Sequence, residues 1–158
     1  MLYAPHFRQY VIIPALAVFP ESMRRPAAVE LLLGTALVES RLTYLKQGRE
    51  TPGDGRGVAL GLYQMEPATH TDLWRNYLAY RPSLAAWISS EGIRPDQDLI
   101  TDLTYATRMA RVLYWRVPDA LPAVDDVLGL ARYWKAHWNT AQGAGRVEDF
   151  IPRYRAYA

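Results

Sequence analysis

A single glycine-rich stretch, Gly48 to Gly61, interrupts a chain whose apolar residues otherwise recur largely at helical spacing. It contains Pro52, Gly53, Gly55 and Gly57, so it reads as a loop or short hairpin between helices. No other stretch of this kind occurs. The pattern predicts a mainly α domain with one long glycine-rich loop, and loops of that length in compact domains usually carry function. With 158 residues, half of them apolar, the chain suffices for one core, and residues 1–158 read as a single domain.

The helical segments can be placed from periodicity and from prolines at helix starts. From Ala27 to Ser40, Val29, Leu32, Leu33, Ala36 and Leu37 share one stripe, with Pro26 suited to the first turn. Pro67 opens a second helix to about Tyr80, with Leu73, Trp74 and Tyr77 inward. A shorter one covers Leu84 to Ser89. Asp96 to Trp115 is expected to be the longest, with acids in its first turn and Arg108, Arg111 and Arg116 late, as the helix dipole favours. Val124 to Trp138 follows, striped by Val127, Ala131, Trp134 and Trp138, and Val147 to Tyr157 closes the chain. The apolar run Tyr10 to Phe19 is too short to span a bilayer and contains Pro14, so it is expected in the core.

Composition removes several function classes. There is no Cys, which excludes thiol nucleophiles and cysteine metal sites. His6, His70 and His137 are scattered without ligand spacing, so no metal and no cofactor are expected. The glycine-rich stretch lacks the Lys-Ser/Thr of a phosphate loop, and no Gly-x-Ser-x-Gly elbow is present. A net charge of +2 with dispersed arginines gives no basis for nucleic-acid binding.

The chemistry concentrates in three strings. Ala36-Leu37-Val38-Glu39-Ser40-Arg41 ends an apolar helix on a carboxylate. At that end the dipole, together with partial burial, favours the protonated acid, which is what a general acid working near neutral pH requires. Gly61-Leu62-Tyr63-Gln64-Met65-Glu66-Pro67-Ala68-Thr69 is a glycine-bearing turn leading into a helix. Trp138-Asn139-Thr140, followed by Gly143 and Gly145, is an aromatic-Asn pair before a turn.

These strings, in this order, resemble the lysozyme-like superfamily, specifically the soluble lytic transglycosylase and goose-type lysozyme group. The resemblance implies a lysozyme-like helical fold whose loop or hairpin lines a cleft for peptidoglycan glycan strands. Glu39 would protonate the β-1,4 bond between N-acetylmuramic acid and N-acetylglucosamine and then act as base, while Ser40, Gly61, Leu62, Tyr63, Gln64 and Asn139 would line or shape the sugar site. It leaves open whether the sugar's own hydroxyl or water completes the cleavage, as in a lytic transglycosylase or a muramidase.

The chain departs from the family pattern at several positions. Gly55 and Val58 stand where Ser and Gly are common, and the interval from Glu39 to Gly61 is long. Phe150 falls where the family usually has a Tyr whose hydroxyl contacts the acid, which leaves Tyr133 or Tyr154 to substitute. Glu66 adds a carboxylate beside the expected cleft. It reads either as a second catalytic carboxylate or as a helix-capping acid before Pro67. Asp54 and Glu50 are further candidates for a second acid.

The expected protein is a bacteriolytic phage endolysin or virion-borne murein hydrolase, monomeric, without stable membrane insertion. No signal peptide is visible, so synthesis in a host cytoplasm and action on the bacterial wall, or carriage in a phage particle, is the expectation. The contrasting class is a phage structural or wall-binding protein that keeps the fold without catalysis.

Overall fold

The computed structural model describes residues 1–47, 58–140 and 142–158. Among these the chain is mainly helical: α1 (Ala4–Phe7), α2 (Ile13–Leu16), α3 (Pro26–Ser40), α4 (Pro67–Asn76), α5 (Pro82–Ile88), α6 (Asp98–Thr101), α7 (Leu103–Trp115), α8 (Val127–Trp134) and α9 (Val147–Tyr157). No strand forms among the described residues, only isolated bridges joining Lys46 to Leu60 and Leu60 to Met65. None of the helices is long and apolar enough to cross a membrane.

α3 is the central element. Pro26 at its first position costs no hydrogen bond, and the sequence from Leu31 to Leu37 is apolar or small around the whole circumference. Leu31, Leu32, Leu33, Gly34, Thr35, Ala36 and Leu37 are all buried, so helices surround it on every side. Thr35 is tolerated there because its hydroxyl bonds the Leu31 carbonyl and the Tyr114 hydroxyl, both at 2.7 Å.

One contact sets the distance between α3 and α9. A β-carbon on Gly34 would fall 2.1 Å from Cζ of Phe150, whose ring is fully buried. The ring also packs against Trp134, with centroids 5.9 Å apart, and stacks on Tyr154. α8, α9 and α3 therefore share a single aromatic joint.

Several boundaries differ from the sequence expectation. The segment expected as one helix from Asp96 to Trp115 breaks at Asp102, so α3, at 15 residues, is the longest helix and α7 has 13. Asp102 adopts extended backbone, and its carboxylate accepts the Tyr105 N–H at 2.9 Å, capping α7. Arg94 locks the break by bonding Asp98 and Asp102 at 2.7 Å each. The helix expected from Val124 begins instead at Val127, because Asp126 caps it through the Gly129 N–H. From Lys135 to Asn139 the backbone is a π-helix, and a second π segment, Arg8–Ile12, joins α1 to α2. The run Tyr10 to Phe19 is only half core: Ile12, Leu16 and Phe19 are buried, while Tyr10 is 70% exposed.

A buried polar cluster ties α4 to α7. His70 bonds the Tyr105 hydroxyl at 2.6 Å and the Asp96 carboxylate at 2.7 Å, and the Trp74 indole donates to the same hydroxyl. The Asp96 carboxylate can only accept, so His70 Nδ1–H donates to it, and in the neutral ring Nε2 then accepts the Tyr105 proton.

The Gly34–Phe150 contact makes a direct prediction. Gly34→Ala should lower unfolding stability by about 2 kcal/mol through overpacking, read as a fall in the urea midpoint. Combining it with Phe150→Leu should cost less than the sum of the two single changes, because the shorter side chain relieves the clash.

Candidate active site

Glu39 lies in the last turn of α3, which Arg41 ends in the left-handed conformation at φ 55°, donating its N–H to the Leu37 carbonyl. Leu42 follows at φ 51°. Two consecutive non-glycine residues in this region turn the chain sharply away and leave the Glu39 side chain at the wall of a cleft. The cleft has a volume of about 620 Å³, and Gln64, Glu66, His137, Trp138 and Asn139 help to line it.

The carboxylate of Glu39 accepts one hydrogen bond, from the Trp134 indole N–H at 2.9 Å. Burial raises its pKa from 4.5 to about 7. The Trp134 hydrogen bond and the positive charge of Arg153 oppose that shift without cancelling it. Arg153 does not bond the acid; its guanidinium donates to the Val38 carbonyl. The result is a carboxyl group that carries a proton for much of the time at neutral pH.

The turn from Leu60 to Met65 is closed by reciprocal backbone hydrogen bonds of 2.9 and 3.0 Å. Gly61, at φ 73°, is required there, because a β-carbon would sit 2.0 Å from the Leu99 carbonyl oxygen. Gly61, Leu62 and Tyr63 were expected in the sugar site, but all three are buried beneath it. The Tyr63 hydroxyl is paired with Thr107 at 3.0 Å. Their place is structural: they anchor the turn in the core. Of this string Gln64, at φ 52°, Met65, Glu66 and Thr69 reach the cleft, and the Gln64 amide donates to the Gly61 carbonyl at 2.7 Å.

The third string forms another part of the cleft wall. Asn139 ends the π-helix, and its side-chain oxygen accepts from Lys135 at 2.7 Å, a lysine that also bonds the Gly143 carbonyl. A β-carbon on Gly143 would lie 2.2 Å from the Asn139 carbonyl, and one on Gly145 would lie 2.7 Å from the Trp134 ring. Both glycines are needed for the turn to close over Asn139 and the acid's hydrogen-bond donor. Thr140, at φ 62° and ψ 171°, occupies a region normally left to glycine, so strain is stored at the cleft itself.

No family model, no curated protein and no solved structure matches the chain. The site is therefore defined by its own geometry.

That geometry corrects three further expectations. Ser40 is buried and its hydroxyl bonds the Ala36 carbonyl at 3.0 Å, so it does not face the cleft. Tyr133 donates to the Asp119 carbonyl at 2.8 Å and lines a different cavity. Tyr154 donates to Glu30 at 2.6 Å, across α3 from the acid. Neither tyrosine takes the place of the hydroxyl missing at Phe150; the Trp134 N–H is the group that meets Glu39. Glu66 stands at the N-cap of α4 but makes no side-chain cap hydrogen bond, and it is exposed on the cleft lining. Glu50 and Asp54 lie outside the described residues. Among the described residues, no group of three or more His, Asp or Glu is placed to hold a metal ion.

Sequence reasoning missed Lys135, Arg153 and the role of Trp134. An available signal was the spacing of Lys135 and Asn139, four residues apart on one helical face.

The raised pKa carries a stability consequence. Between about 4.5 and 7 the folded state holds a proton that the unfolded chain has released, so Glu39 destabilises the fold progressively as pH rises through that window. Glu39→Gln keeps an acceptor for Trp134 and should stabilise the protein at pH 8 by up to about 3 kcal/mol, with no gain at pH 4. Urea unfolding at the two pH values measures this.

Proposed function

We propose that the chain is a peptidoglycan glycosidase of lysozyme-like type, with Glu39 as the general acid that protonates the glycosidic oxygen between N-acetylmuramic acid and N-acetylglucosamine. The observation that carries this reading is the Glu39 carboxyl: largely but not fully buried, held by one indole N–H, shifted to about 7 and facing an open cleft. A general acid is most effective when its pKa lies near the working pH.

The cleft supports a role in binding sugar. Trp138 offers a partly buried ring, and Gln64 and Asn139 offer amides, in the same lining. Such a mixture of aromatic surface and directed polar groups suits amphipathic sugar rings. The same acid, left as carboxylate after protonating the leaving oxygen, serves as base in the second half of the reaction. It removes the proton from the attacking group, which is either the muramic acid's own hydroxyl or a water.

Glu66 on the cleft lining supplies the place for a second carboxylate, and its missing cap bond leaves it available. In the hydrolytic version it would orient the attacking water. In the transglycosylase version no second carboxylate is needed. A phage lysis or virion-borne role fits either version.

Clearing of purified cell walls tests the reading. Glu39→Gln should reduce clearing by at least about a hundredfold, and the alkaline limb of the wild-type rate profile should fall with an apparent pKa of about 7. Inactive wild type would favour a structural or wall-binding protein. Mass spectrometry of released muropeptides separates the reactions: anhydro ends mean a transglycosylase, reducing ends a muramidase. Glu66→Gln should then depress only the hydrolytic rate.

A further inference from the structure

A second cavity, of about 780 Å³, lies between the N-terminal end of α3, the C-terminal end of α7 and the connecting chain 117–124. It shares Val117 with the Glu39 cleft but none of that cleft's polar lining. Its walls are largely apolar, with Pro26, Pro118, Leu121 and Pro122 beside the rings of Trp115 and Tyr133.

Arg111 is buried in this wall. Its Nε donates to the Met23 carbonyl at 2.6 Å, and its guanidinium stands 5.3 Å from the Trp115 ring centroid. No carboxylate among the described residues pairs with it. Among the described residues the two terminal nitrogens make no hydrogen bond, and no fully enclosed polar side-chain atom lacks a partner. Each of those nitrogens therefore keeps a small exposed area, and Arg111 is part of the cavity lining. Asp119, the carboxylate on the lining, is turned to His137 at 3.2 Å. Arg25 adds a second positive charge at the rim.

We propose that this cavity binds a small organic carboxylate with an apolar body, its carboxylate gripped end-on by the two terminal nitrogens of Arg111. A planar guanidinium offering two parallel N–H groups matches a carboxylate in geometry as well as charge. A buried guanidinium without a counter-charge is costly, and burial already pulls the Arg111 pKa down to about 10. A bound carboxylate supplies the missing charge. A phosphate dianion is a poorer fit, because beyond Arg111 and the rim residues Arg25 and Ser22 the lining is largely apolar. The site does not depend on Glu39 or on the reaction assigned to it.

Titration of the isotopically labelled full chain by NMR tests the proposal, with N-acetyl-phenylalanine, its amide and inorganic phosphate as probes. The acid should bind and shift the resonances of residues 117–124, and the amide should bind at least about tenfold more weakly, as should phosphate. Arg111→Lys, which keeps the charge but loses the fork, should weaken the acid about tenfold. Arg111 also ties α7 to Met23, so Ala123→Glu serves as an independent variant: residue 123 is exposed on the lining, and a carboxylate there should repel the ligand without altering the thermal midpoint. Equal binding of acid and amide, equal binding of phosphate, shifts confined to the Glu39 cleft, or no binding at millimolar probe would each overturn the proposal. So would undiminished binding to Ala123→Glu.

Discussion

Phe150 can seat on α3 only because residue 34 has no side chain, and most of the candidate site follows from that approach. The seated ring fixes α9 and packs against Trp134 of α8 at a tilt of 38°. Trp134 is thereby held with its indole N–H directed at Glu39, while Arg153, one turn beyond Phe150 on α9, reaches the Val38 carbonyl beside the acid. A helix ending in a buried carboxylate would otherwise present an unsatisfied charge to the core, which is among the more expensive defects a fold can contain. The aromatic joint provides the one donor that makes burial tolerable, and it leaves the rest of the carboxyl facing the cleft.

Local signals were legible in the sequence; signals that depend on distant partners were not. α3, α4 and α9 begin where expected, because Pro26 and Pro67 and the Arg146–Asp149 capping arrangement act within a few residues. The break at Asp102 was missed, since Asp102 can be read as an ordinary helical acid until Arg94 is known to lie beside it. Of the three site strings, Glu39, Gln64 and Asn139 do reach the cleft, whereas Gly61, Leu62 and Tyr63 build its floor from below. Tyr133 and Tyr154 failed as substitutes for a similar reason. Sequence places a hydroxyl on a helix, but the direction in which it points is decided by neighbours such as Asp119 and Glu30. The π-helix at Lys135 to Asn139 has no period that an ordinary helical stripe reveals, yet it is the element that carries His137, Trp138 and Asn139 into the wall.

Backbone strain is concentrated around the same cleft. The non-glycine residues with positive φ among those described are Arg41, Leu42, Gln64 and Thr140, and each adjoins one of the three strings. Conformations of this kind cost of order 1–3 kcal/mol each and persist only where surrounding packing imposes them. Here the imposing contacts are identifiable: the buried side chain of Leu42, the Gln64 amide bonded to Gly61, and Gly143 pressed against Asn139. Glycine would relieve the strain at each position, but at residue 42 it would also forfeit a buried leucine side chain, which offsets the strain.

Two buried charges, Glu39 and Arg111, stand in the same relation to this fold. Each is pushed toward neutrality by burial, and each is held by one partner that brings no full opposite charge, an indole N–H for the acid and a backbone carbonyl for the base. Other arginines are paired with carboxylates, Arg8 with Glu30, Arg94 with Asp98 and Asp102, and Arg116 with Asp72, whereas the less deeply buried Arg108 and Arg153 also bond backbone carbonyls. A buried ion that is paired is satisfied and inert, and one replaced by an apolar residue would often leave the protein more stable. A buried ion held by a single neutral partner keeps its remaining hydrogen-bonding capacity directed at open space, and both of these face cavities that meet at Val117. Hydrogen-bonding capacity left over at a cavity wall is thus the feature that the two proposed sites share.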